Sequence, residues 1–163
     1  MKIFHRIFEG PTQLLEKARR EMTALLDALE VWDEIRIQDN LFNFSVSVYH
    51  LVDWVKEYYP NLKDAVYDWL NTHEELRAFR DLANASKHVS LTVDKGPYEN
   101  YPPVVEDVEA SATSFDVAML TGPPYRLKVQ LENGARLTIN ELADKAIQAW
   151  DEFFNVNKRE LST

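Results

Sequence analysis

The sequence predicts an α+β fold, mainly α. An antiparallel bundle of about four helices comes first, followed by a small antiparallel β-sheet and a C-terminal helix. Through residues 12–89 apolar side chains recur every three or four positions, which is the period of an amphipathic helix. After Gly96-Pro97 the chain shifts to β-branched and aromatic residues punctuated by turn signals. A helical period returns after Asn140. At 163 residues the chain fits a single domain, 1–163, made of a bundle (12–89), a sheet extension (104–139) and a last helix (140–158).

Pro11 and Thr12 open the first helix, where a proline lacks only an N–H that the first turn leaves unbonded anyway. Leu14, Leu15, Ala18, Met22, Leu25, Leu26, Leu29 and Trp32 form its apolar stripe. A second helix is predicted from about Asn40 to Tyr59, stopped by Pro60. Phe42, Phe44, Val46, Val48, Leu51, Val52, Trp54 and Val55 surround almost its whole circumference, so it is expected at the centre of the bundle. Asn61 is the predicted cap of a third helix, Leu62 to about Asn71. A fourth runs from His73 to about Val89 on the stripe Leu76, Phe79, Leu82 and Ala83.

Val108 to Met119 reads as a strand, with Phe115, Val117 and Met119 alternating. Tyr125 to Ile139 reads as a hairpin around Asn133-Gly134. Setting Leu131 opposite Leu137 and Val129 opposite Ile139 puts all four on one face. That demands an odd-length connection, three residues or a bulge. Asn140 is the expected cap of the last helix, whose stripe is Leu142, Ala143, Ala146, Ile147, Trp150, Phe153 and Phe154.

The composition is globular: 45% apolar residues, four Trp and eight Phe. No apolar run is long enough to span a bilayer, and the N-terminal residues do not read as a signal peptide. A cytoplasmic protein with no membrane association is the expectation. The lack of cysteine excludes a disulfide scaffold, a thiolate zinc site and a thiol nucleophile. A formal charge of −9 argues against broad DNA binding, although Arg77, Arg80 and Lys87 leave room for a local basic pocket. Only four glycines are present, and neither a phosphate-binding glycine loop nor a nucleophile elbow is found. No cofactor and no metal site is expected.

The candidate chemistry lies in two polar groups. Arg80, Asn84 and His88 stand at i, i+4 and i+8 and share one drifting face of the fourth helix. His50 and Asp53 share a face of the apolar second helix. One reading is architectural. Arg80 pairs with Asp53 or Glu57, Asn84 satisfies a backbone group, and His88 caps the helix C-terminus. The other is acid–base chemistry. An imidazole takes a proton from a 2′-hydroxyl, an arginine holds the phosphate, and Asn84 orients it.

Arg80, Asp81 and the downstream His88, carried on a helical bundle, resemble the HEPN superfamily. The resemblance covers roughly Thr12 to Val89, with Arg80 matching the family's arginine, Asp81 its polar follower and His88 its histidine. The gap between Arg80 and His88 is wider than the family's usual one. Tyr49 to Trp54 together with Asn84 to His88 is also similar to a group of uncharacterised bacterial proteins, which implies no function.

The HEPN resemblance implies a metal-independent endoribonuclease of the toxin–antitoxin or phage-defence kind, acting as a homodimer on RNA. Arg80, Asn84 and His88 would be its catalytic residues, with His50, Asp53, Asp81 and Lys87 supporting them. The alternatives are a non-catalytic homodimeric protein-interaction domain and a small-molecule-binding sensor.

Overall fold

A computed structural model describes residues 8–85, 105–112, 125–131 and 134–162. The fold is α+β and mainly α. Helices α1 (Pro11–Glu30), α2 (Glu34–Tyr58), α3 (Lys63–Thr72) and α4 (Glu74–Ala85) precede strands β1 (Val105–Ala112), β2 (Tyr125–Leu131) and β3 (Arg136–Thr138), and α5 (Ile139–Val156) follows. The strands form an antiparallel sheet in the order β1-β2-β3.

Helix α1 starts at Pro11 as predicted and buries Leu14, Leu15, Ala18, Leu25, Ala28 and Leu29. Its end is a Schellman motif. The Asp33 N–H donates to Ala28 O at 3.0 Å and the Trp32 N–H donates to Leu29 O at 3.3 Å. Glycine usually holds the left-handed position of this motif; here Trp32 does, at φ 50°. A bulky residue there costs about 1–2 kcal/mol of backbone strain. In this conformation Trp32 stays partly buried against the core while its neighbour Val31 is exposed.

Helix α2 begins at Glu34, six residues before the predicted Asn40. Asp33 caps it by accepting the Arg36 N–H at 3.1 Å. The helix is central, packing against α1, α3 and α4. It is not buried all round, however. Ile37, Phe44, Val48, Leu51, Val52 and Val55 face inward, whereas Ile35 and Phe42 on the opposite arc are exposed. Phe44 meets Phe79 of α4 edge-to-face, with centroids 4.9 Å apart. Asn61 does not cap α3. It lies in a 3₁₀ turn, Pro60–Leu62, and its amide donates to Glu160 Oε2 at 2.9 Å.

The predicted end of the fourth helix near Val89, and residues 113–119 of the predicted strand, lie outside the described residues. In the hairpin Val129 pairs with Leu137, and Lys128 with Thr138. The register is therefore two residues from the predicted one. A two-residue slip keeps every side chain on its own face, so Val129 and Leu131 still point into the core. The connection is the short odd one: Leu131 N–H donates to Ala135 O at 2.9 Å and Gly134 N–H to Leu131 O at 2.8 Å. Gly134 supplies the left-handed φ of 82° that such a loop requires.

Thr138, not Asn140, caps α5. Glu141 N–H donates to Thr138 Oγ1 at 3.3 Å and Thr138 N–H to Glu141 Oε2 at 2.9 Å, a reciprocal capping box. Helix α5 then closes the core with Leu142, Ala146, Trp150 and Phe153. Trp69 ties α3 to it, its indole N–H donating to Ala149 O at 2.9 Å.

Candidate site around Arg80 and Asp81

Helix α4 is short and strongly amphipathic, with Leu76, Ala78, Phe79 and Ala83 buried. Arg80 and Asp81 go down with them, at 3% and 4% exposure. Neighbouring residues on a helix point about 100° apart and do not ordinarily meet. The long arginine side chain spans that angle. Its Nε and one terminal nitrogen both donate to Asp81 Oδ1, at 2.9 and 2.7 Å. Charge-assisted bonds of this kind are about twice as strong as neutral ones. They answer the desolvation cost of burying two ions, which is several kcal/mol each.

Asn84 is half-buried, one turn further along α4. Lys87 and His88 lie outside the described residues.

In the second predicted group Asp53 faces outward. Asp53 is not buried against Arg80 or Asn84: its side chain is 62% exposed and binds Lys56 Nζ at 2.8 Å. It stands on the outward arc of α2, because the apolar positions that fix the helix orientation are on the other side. His50 is half-buried beside Tyr49, with ring centroids 6.3 Å apart. Arg80 thus pairs with Asp81, and Asp53 with Lys56.

Two polar clusters were not anticipated from the sequence. Lys17 and Glu21 form an ion pair on α1 and reach across to buried Ser47 on α2. Lys17 Nζ donates to Ser47 Oγ at 2.8 Å, and Ser47 Oγ donates to Glu21 Oε2 at 2.5 Å. A serine beside a lysine suggests nucleophilic chemistry only when the lysine acts on it as a base; here the serine's own hydroxyl donates to Glu21. The i, i+4 spacing of Lys17 and Glu21 was the available signal.

The second cluster is Asp53, Lys56 and Tyr67. Lys56 Nζ donates to Tyr67 Oη at 2.6 Å and sits 4.8 Å from the ring centroid. Burial pushes the Lys56 pKa down, but its hydrogen bonds to Asp53 and Tyr67 outweigh that and hold it above the ordinary lysine range. Likewise the hydrogen bond that Arg19 donates to Asp151 raises the pKa of Arg19 and joins α1 to α5.

Among the described residues no group of three His, Cys, Asp or Glu could hold a metal ion. A hollow at the end of α5 is lined by Asn155, Val156, Lys158 and Arg159, none of them a predicted site residue. No described helix is long and apolar enough to cross a membrane. The chain matches no protein-family model, no curated protein and no solved structure.

Proposed function

We propose that this chain is a non-catalytic protein-interaction domain, in which the Arg80–Asp81 pair sets the packing of α4. The carrying observation is the buried guanidinium with two of its donors on Asp81. A phosphate clamp needs an arginine fork presented to solvent. An arginine shielded this deeply, and neutralised by the next residue, is suited to fixing a helix in place. The exposed position of Asp53, paired with Lys56, separates the two readings no further, since it removes both the expected Arg80–Asp53 pair and the supporting role of Asp53 in a catalytic centre.

A second reading, metal-independent RNA cleavage, draws on Arg80 and Asn84 standing one turn apart on α4, on the helix that leads toward His88. One experiment separates the two. Purified protein is incubated with structured RNA in EDTA, beside Arg80→Lys and His88→Ala variants matched for thermal stability. The expected result is no cleavage. Cleavage that leaves 2′,3′-cyclic phosphate ends and is lost in both variants would transfer the assignment to an endoribonuclease.

A further inference from the structure

We infer that the corner formed by the α1–α2 turn and the outer face of α2 is a docking surface for a basic amphipathic helix of a partner protein. This deepens the interaction reading and rests on it. Val31 is 67%, Ile35 73% and Phe42 45% exposed. Ile35 and Phe42 are seven residues apart, so they lie two turns along the same face, about 10 Å from one to the other. That is the spacing at which a helical ligand places its own i and i+7 anchors. Val31 is turned outward by a strained corner in which Trp32, a bulky residue at positive φ, stays against the core.

The charge around these side chains selects the occupant. Between residues 27 and 43 stand Asp27, Glu30, Asp33, Glu34 and Asp39, against a single cation, Arg36. Asp27, Glu30, Glu34 and Asp39 are exposed. Asp39 sits on the apolar face itself, four residues after Ile35 and three before Phe42. Two copies meeting through this corner would bring like charges together, which is unfavourable. A helix with leucine-like anchors flanked by lysine or arginine meets both features: its apolar stripe covers Ile35 and Phe42, and its cations face the carboxylates.

The test uses a labelled 14-residue peptide of Leu and Lys, with Leu at i, i+3, i+4 and i+7, read by fluorescence polarisation against the full chain. Its Leu/Glu counterpart and a scrambled Leu/Lys peptide are the controls. Saturable binding of the patterned Leu/Lys peptide is expected, weakening as salt is raised. In Ile35→Ser/Phe42→Ser, a variant of unchanged charge, affinity falls at least tenfold. In Val156→Ser, which alters an exposed apolar residue at the end of α5, it stays the same.

Equal affinity for the double variant, or equal binding of the scrambled peptide, overturns the site. So does the absence of binding. Sedimentation that shows a dimer abolished by Ile35→Ser/Phe42→Ser also overturns it, by making a second copy the occupant. None of these outcomes touches the non-catalytic reading, which falls only to RNA cleavage dependent on Arg80 and His88.

Discussion

Replacing Asp81 by alanine is the most direct test of the architectural role assigned to α4. The carboxylate accepts two donors from Arg80, and both side chains are almost wholly shielded from water. Asp81→Ala leaves the guanidinium in the interior without this counter-ion. Breaking a buried pair from one side typically costs about 3–5 kcal/mol. Against a total stability on the order of 5–15 kcal/mol, that is a large share. With a urea m-value of about 1–3 kcal/mol/M, the midpoint falls by roughly 1 M or more. Arg80→Met/Asp81→Leu removes both charges and keeps apolar volume, so it is expected within about 2 kcal/mol of the parent. Urea melts of the parent, Arg80→Met, Asp81→Leu and the double variant give the coupling energy through a double-mutant cycle. A cost below about 1 kcal/mol for Asp81→Ala would match a solvated surface pair and remove the basis for the assignment. A double variant as unstable as the worse single variant would show that the pair is not what holds α4.

Trp150 is fully buried and its indole N–H has no hydrogen-bond partner among the described residues, whereas Trp69 donates to Ala149 O. Trp150→Phe is therefore expected to cost less than Trp69→Phe, by roughly 1–2 kcal/mol, because it removes an unsatisfied donor instead of a made bond; the reverse order in denaturant melts would show that the Trp150 N–H is satisfied. Gly134→Ala is expected to cost about 1 kcal/mol. Nothing lies within 4 Å of the added Cβ, so the penalty is one of backbone conformation alone, and an unchanged melting temperature would contradict the left-handed turn. The raised pKa of Lys56 means that its pairing contributes fully below the ordinary lysine value of 10.5 and is lost as pH climbs through the higher folded value. The melting-temperature gap between the parent and Lys56→Met should hold at neutral pH and close above about pH 10.5; a gap that widens with pH would refute the direction of the shift.

The order of elements was legible because periodicity and punctuation agree. Pro11 begins α1, Pro60 follows the end of α2, and the parity of Val129, Leu131 and Leu137 demanded the odd hairpin connection that Gly134 closes. Parity fixes the face but not the register, which is why the pairing settled two residues away. The start of α2 was missed because its first two turns bury only Ile37, too little to show a period. The usable signal was Asp33, a capping residue. The cap of α5 is written in the sequence as Thr138 followed three residues later by Glu141, a capping box that satisfies two backbone donors where Asn140 alone could satisfy one. The candidate site was harder for a different reason. Helical spacing says which residues share a face, but not whether another element covers it. Nothing in the spacing of Arg80 and Asp81 announces that the two will meet, because their contact depends on a side chain folding back along its own helix.

The burial of polar and apolar side chains is inverted at two places in this chain. Arg80 and Asp81, its most conspicuous polar neighbours, are inside, and Val31, Ile35 and Phe42 are outside. Both placements cost free energy, but they differ in what offsets the cost. The desolvation of two buried ions is met within the chain by their own charge-assisted bonds. The exposed apolar side chains forgo about 1.5–3 kcal/mol each for a Val, Ile or Phe that burial would supply, and the described residues leave them uncovered. The strained Trp32 adds to that cost without burying Val31. Scattered exposed apolar residues are ordinary on protein surfaces. An aligned pair two turns apart, beside a strained corner and ringed by carboxylates, is better accounted for by a surface that another molecule covers. The same arrangement makes the chemistry of that molecule specific, since only an apolar stripe flanked by cations relieves both the exposed side chains and the crowded negative charge.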